Sequence, residues 1–415
     1  MTEQITLPNG ARLLTQAVPG VRSAAVGFFV GVGSRHESAR ENGAAHFIEH
    51  MLFKGTDRRT AAQLAKDTDA IGGQINAYTT KEHTCFYART LDSHLDRGLD
   101  ILADMLFHSR FDPADTQLER GIILEEIGMY EDTPEDLAAE RLSAAVYKGT
   151  ALARPILGRA STLAGMDGDW LKAWQKKRYH AGVLVAALAG SFTQGQADRL
   201  RDLLACLPSG PVSKRKSAAY KPAVTAKRKA IEQNHLILAF PAPTYLDPRR
   251  AQVMLLNSLL GGGCSSRLFQ ELREERGLCY TVYSYVADHA DTGLLGVYAA
   301  VSPEQEREAL ETARRVVLDL AERGPTQEEV DRVREQAKAN LLMGNESVQA
   351  RMSHMGSSAL LYGRVRSTQE ILDLYDAVTR DQIQALAAEL FQMKHASLSA
   401  VGRVGPSQAY ARWLR

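Results

Sequence analysis

The chain has 415 residues, with 50 lysines and arginines against 49 aspartates and glutamates, and a formal net charge of +1 at pH 7. That balance argues against a basic surface built for nucleic acid, and a 45% hydrophobic content suits a globular chain. The length exceeds what one hydrophobic core comfortably serves, so two domains are expected.

In chain order, the first long apolar stretch is "SAAVGFFVGVG". It is too short to span a bilayer and follows no basic leader of the kind a signal peptide carries. It reads as a buried strand, and no membrane partner is expected. Next, "GAAHFIEHMLFKGT", residues 43–56, reads as a buried helix carrying His46, Glu49 and His50. A β-rich hairpin, "QINAYTTKEHTCFYART", is followed by helices from "LDSHLDRGLDILADML" and "DTQLERGIILEEIGMYE", and the strand "GVLVAALAGSF" closes the half. The segment "LPSGPVSKRKSAAYKPAVTAKRK" is rich in Pro, Gly, Ser and Lys and has no apolar periodicity, so it reads as a linker.

Beyond it come a strand ("NHLILAFPAP"), two helices ("RAQVMLLNSLLGGG", "SSRLFQELREER") and the β-rich "CYTVYSYVADHADTGLLGVYAAV". Two long helices and a closing strand, "HASLSAVGRV", complete the plan of the first half. The expected division is an N-terminal domain at 1–208, a linker at 209–228 and a homologous C-terminal domain at 229–415. Hairpins and helices in blocks predict an α+β fold, an internal duplication in which each domain is a mainly antiparallel sheet with helices packed on one face. Aligning the halves at Gly55 and Gly261 sets Gln252, Leu255 and Leu256 opposite His46, Glu49 and His50. Only the first half therefore carries chemistry at this place. "LLGGGCSSRLF" lacks the GK[ST] ending of a phosphate-binding loop. Cys85, Cys206, Cys264 and Cys279 form no CxxC spacing, which predicts reduced thiols in a cytoplasmic protein.

A helix turns residues i and i+4 to one face, so His46 and His50 can aim both imidazoles at one point. Two neutral imidazoles suit Zn²⁺, whose catalytic sites use three protein ligands. Glu49 lies beside the pair and can take a proton from water there; the pattern is HxxEH, the inverse of HExxH. The plain alternative is an amphipathic helix with no site. Its flanks are apolar, however, and two histidines and a glutamate left uncompensated in a core are costly. Acidic candidates for a third ligand are Glu119, Glu125, Glu126 and Glu131. Glu119 and Glu126 are two turns apart with Ile123 between them, whereas Glu125 and Glu131 project elsewhere. With Thr116 as N-cap, Glu119 would complete a capping box. Glu126 has no such duty, so it is the expected third ligand, and Glu119 the group that orients a ligand histidine.

Together with "MLFKGT", "NAYTTKEHT" and "ERGIILEEI", these residues resemble the inverted-zincin peptidases of the pitrilysin and insulinase type. The likeness is closest to the branch of mitochondrial processing peptidase and its bacterial relatives, and it covers essentially the whole chain. The separation of His50 from Glu126 matches that family's. The resemblance implies a zinc endopeptidase with one Zn²⁺ per chain on His46, His50 and Glu126, and Glu49 as general base. It implies peptide or unfolded polypeptide substrates, cut inside a clamshell of two two-domain units. "QINAYTT" then resembles the edge strand to which substrate adds, with Asn76 and Ala77 at the matching places. Arg273 and Tyr280, in "RLFQELREERGLCYTVYSY", match a pair that binds the substrate carbonyl. A homodimer would complete the clamshell, with a heterodimer of related subunits as the variant. The rival reading is a non-catalytic or partner-dependent subunit of a peptidase-like assembly; such subunits typically lose the motif that is intact here.

Overall fold

A computed structural model describes residues 2–212 and 216–414. In the first half, strands β1 (Glu3–Thr6), β2 (Arg12–Ala17), β3 (Ser23–Val30), β4 (Gln74–Thr79), β5 (Thr84–Leu91) and β6 (Leu184–Gly190) form one sheet in the order β1-β2-β6-β3-β5-β4. Its helices are α1 (Ala44–Met51), α2 (Ala61–Ala70), α3 (Leu95–His108), α4 (Pro113–Asp132), α5 (Pro134–Val146), α6 (Ala160–Leu163), α7 (Gly168–Arg178) and α8 (Gln194–Ala205).

The second half repeats the design. Strands β7 (Val224–Arg228), β8 (Asn234–Ala242), β9 (Cys279–Asp288), β10 (Gly293–Val301) and β11 (Ser397–Gly402) form a sheet ordered β7-β11-β8-β10-β9. The helices are α9 (Arg250–Gly261), α10 (Glu306–Arg323), α11 (Gln327–Gly344), α12 (Val348–Tyr362), α13 (Thr368–Asp376), α14 (Arg380–Leu390) and α15 (Ser407–Trp413). Without β1, the order β2-β6-β3-β5-β4 maps strand for strand onto the second sheet. Each sheet has one parallel pair, β2–β6 and β7–β11, at the corresponding place. The expected duplication and α+β architecture are both present.

Sequence pattern explains the central strands. β3 is buried along nearly its whole length, so it reads as an apolar run rather than an alternating one. Ala24, Val26, Phe28 and Val30 face the core under α1 and α3, while Ala25 and Phe29 face the opposite way. That opposite face is covered too, by α12, whose Val348, Met352, Met355 and Ala359 recur at helical spacing. Gly356 lets α12 approach closely, since a Cβ there would sit 2.0 Å from the Phe29 ring. In the second half the same office falls to α5, which sets Ala138, Leu142 and Val146 against Ile237, Ala239 and Val401.

Among the described residues, each sheet thus has most of its helices on one face and a single helix from the other half of the sequence on the other. The compact units accordingly depart from a division at 209–228: one takes Met1–Ile127, Arg154–Lys216 and Leu342–Arg366, the other Gly128–Ala153, Ser217–Leu341 and Ser367–Arg415. The linker reading also needs amendment, because β7 lies within it and pairs in parallel with β11. Residues 213–215 of that expected linker lie outside the described residues. Truncating Met352, fully buried on β3, should cost the first unit about 2–5 kcal/mol. Urea unfolding of Met352→Ala checks this, and a near-neutral result would contradict the packing of α12 on that sheet.

Candidate metal centre

α1 is short and amphipathic. Phe47, Ile48 and Met51 sink into the core of the first unit, and His46, Glu49 and His50 occupy the remaining face. α4 passes beside it with Thr116, Glu119 and Ile123 buried. Glu125 and Glu131 are exposed and Glu126 is half-buried, as the helical spacing predicts. The cap of α4 differs from expectation. The helix starts at Pro113, and Asp112 Oδ1 accepts the Ala114 amide at 2.8 Å. Thr116 instead donates its hydroxyl to the Asp112 carbonyl. Glu119 therefore has no capping-box duty, and its carboxylate turns to His50.

The Nε2 atoms of His46 and His50 each lie 3.5 Å from Glu126 Oε2, and the two rings have centroids 4.6 Å apart. His46, His50 and Glu126 can each offer a ligand atom such that all three fall within 4.8 Å of one another. Glu126 Oε2 is buried and has no hydrogen-bond partner among the described residues. A buried carboxylate oxygen with two imidazole nitrogens around it, bonded to none of them, is what a cation would satisfy. The donor set, two nitrogens and one oxygen, fits zinc.

The surroundings tune these groups. Glu119 Oε2 accepts from His50 Nδ1 at 3.0 Å, and Lys54 Nζ forms an ion pair with Glu119 Oε1 at 2.5 Å. A proton held on Nδ1 leaves the Nε2 lone pair of His50 for a metal. Burial, and then the neighbouring His50, push the His46 imidazole down to about 4, against a smaller pull from Glu126. It is neutral at neutral pH, as a ligand must be. For His50 burial works to lower the pKa, but the carboxylates of Glu126 and Glu119 outweigh it and raise the value. The His50 ring holds the Glu126 carboxyl below its ordinary range. Burial raises Glu49, and a hydrogen bond from the Thr79 hydroxyl to its Oε2 opposes that rise. Thr79 and Lys54 both lie in the quoted motifs, but nothing in one sequence marks them without a fold that places β4 beside α1.

β4 is the edge of its sheet, paired only with β5 among the described residues. Asn76 is exposed, and its Oδ1 accepts the Ala77 amide at 2.8 Å. Ladder alternation directs that amide away from β5. Ile75 and Ala77 pack on the core that α1 shares, and Thr79 on the same strand reaches Glu49. Arg273 and Tyr280 lie in the second unit, Arg273 on a π-helical turn (Phe269–Glu274) and Tyr280 on β9, which is also an edge. They meet there, the guanidinium lying 4.5 Å from the Tyr280 ring centre and 4.6 Å from that of Phe269. Tyr280 is 76% exposed. At the place on α9 that mirrors the motif, Leu255 and Leu256 are fully buried core residues.

Paired imidazoles and a carboxylate, with Glu49 beside them, form a donor set that could hold a metal ion. Residues 12–160 match the profile described as Insulinase (Peptidase family M16), and residues 166–337 match that of the Peptidase M16 inactive domain. The chain is 38% identical to an "Uncharacterized zinc protease YmxG" of Bacillus subtilis, over 95% of this chain and 97% of the relative. It is 39% identical to an uncharacterized zinc protease of Streptomyces coelicolor, over 97% and 90%. The crystal structure of a peptidase M16 inactive domain from Pseudomonas fluorescens shares the fold with a TM-score of 0.90 at 22% identity, covering 98% of this chain and 99% of the other. A protease from Helicobacter pylori does so with a TM-score of 0.89 at 18% identity, covering 97% and 99%. The chain belongs to the insulinase family of peptidases, M16.

Proposed function

We propose that this protein is a zinc-dependent endopeptidase that cuts peptides and unfolded segments. The observation that carries the reading is the buried Glu126 oxygen, without a hydrogen bond among the described residues, 3.5 Å from the Nε2 atoms of both His46 and His50. These three side chains would hold one Zn²⁺ per chain. Zinc bound there supplies a Lewis acid that acidifies water and polarises a carbonyl. Glu49 accepts the proton of the attacking water and returns it to the leaving amine; its burial and raised pKa suit a group that must both take and give. Glu119, backed by Lys54, keeps the His50 ring turned.

The free edge of β4 supports strand addition by substrate. The Ala77 amide faces outward, where Asn76 Oδ1 accepts it. Main-chain pairing of this kind needs an extended segment and reads side chains loosely. Arg273 and Tyr280, held together in the second unit, are proposed to bind the substrate carbonyl as charge develops on it. A homodimer is the simplest assembly that completes the four-domain clamshell of the family; sedimentation as a monomer with full activity would remove it. Four free cysteines support a reducing, cytoplasmic setting. No helix of the described residues is long and apolar enough to cross a membrane.

The second half matches a profile named for an inactive domain, which favours, as a second reading, a non-catalytic or partner-dependent subunit. Zinc analysis of the purified chain, with cleavage of a mixed peptide library, separates the two. Under the peptidase reading, unstructured peptides of a few tens of residues are cut, and a stable folded domain is spared outside its tails. Efficient cleavage inside such a domain would contradict strand addition at β4.

A further inference from the structure

α1 has eight residues, about two turns, and a helix that short does not hold itself together in isolation. Its N-terminal amides need acceptors, yet its N-cap is Gly43, which has no side chain to offer. A serine or aspartate cannot take that place. Gly43 has φ +100°, and a Cβ there would lie 2.8 Å from both Gly158 Cα and the Leu157 carbonyl oxygen. The acceptor comes instead from outside the helix. Glu37 Oε2 accepts the Gly43 amide at 2.9 Å, and Oε1 accepts the Ala45 amide at 2.9 Å. Asn42 Nδ2 donates to Oε2 at 3.1 Å and is itself tied to the Pro155 carbonyl at 2.8 Å. Glu37 is 4% exposed, and both of its side-chain oxygens are engaged in these hydrogen bonds.

His46 is the next residue after Ala45. His50 has its ring held from behind by Glu119, but His46 Nδ1 is buried with no partner among the described residues. The direction of the His46 ring therefore depends on the backbone of the first turn. We propose that Glu37 is a positioning residue of the metal centre, a remote cap that fixes the first turn of α1 and thereby aims His46 at the ion. The proposal rests on the metal reading above and adds to it a residue that touches neither metal nor substrate.

The test compares zinc dissociation constants, by chelator competition, for the full-length wild type, Glu37→Gln, Glu37→Asp and Thr193→Ala. Thr193 caps α8 by accepting the Gln196 amide and serves as a purely structural control. Glu37→Gln keeps the shape but sets an amide donor against the helix amides, and should weaken zinc by about 10–100-fold, as loss of an outer-shell partner does. It should also change the visible spectrum of the cobalt-substituted protein. Glu37→Asp keeps a carboxyl group but loses reach, and should fall in the same direction. Thr193→Ala should lower the melting temperature and leave zinc affinity unchanged. A Glu37→Gln protein that melts lower but binds zinc like wild type, with an unchanged cobalt spectrum, overturns the proposal. Failure of both Glu37 variants to fold would assign the residue to general stability and overturn it as well. A wild type that binds no zinc would instead defeat the metal reading, which the first arm reports separately.

Discussion

Glu49→Gln is expected to retain zinc and lose turnover by about 10²–10⁴-fold, the usual cost of removing a general base. The amide preserves the volume of the side chain, and its oxygen can still accept the Thr79 hydroxyl. What it cannot do is take a proton. Metal analysis alongside peptide hydrolysis checks both halves of the expectation, and near-normal hydrolysis would remove Glu49 from its role. The variant also tests the assembly. If Arg273 and Tyr280 serve the partner's zinc, Glu49→Gln and Tyr280→Phe are each impaired as homodimers, but a mixed dimer regains up to one working site. In it the intact Glu49 of one protomer meets the intact Tyr280 of its partner. Were the pair to act within its own chain, every site would keep a defect, and a verified mixed dimer would show no recovery.

Removing a candidate ligand should have a larger effect on the metal. His50→Ala and Glu126→Gln are expected to weaken zinc by more than the about 10–100-fold that an outer-shell change costs, and to lose activity with it. Glu119→Gln should fall within that smaller range, since among the described residues its carboxylate pairs with His50 Nδ1 and Lys54. Glu125→Gln should do neither, because Glu125 is exposed and lies about 100° around α4 from Glu126. Equilibrium dialysis against zinc, followed by activity at saturating metal, distinguishes these cases. If Glu125→Gln strips the metal and Glu126→Gln does not, the helix face proposed for the third ligand is wrong.

Much of the site was legible because local geometry carried it. The i, i+4 spacing of His46 and His50, and the two-turn spacing of Glu119 and Glu126, follow from 3.6 residues per turn whatever the tertiary fold. The apolar flanks of the motif announced burial, and Phe47, Ile48 and Met51 are indeed in the core. The stretch "SAAVGFFVGVG", an expected buried strand, is central in its sheet and covered on both faces. Thr116 and Glu119 form no capping box, because the helix begins one turn earlier, at Pro113, where Asp112 accepts the Ala114 amide. An N-cap is decided by where the helix starts, and helix ends are set by tertiary packing as much as by propensity.

By itself, then, the sequence determined which helix carries the paired histidines and their glutamate, which half lacks them, and that the chain repeats one design. Those are properties of periodicity and composition, which act over a few turns. Tertiary structure alone decided which helix covers the second face of each sheet. α12 and α5 are amphipathic helices whose apolar stripes name no partner, and each packs on a sheet assembled mostly from the other half. It alone set Thr79 against Glu49 and Lys54 against Glu119, since a strand or loop meets a helix only once the sheet has formed. It alone brought Glu37 to the bare end of α1. A carboxylate becomes a helix cap through the position of its oxygens in space, and no local pattern encodes that across the turn between them.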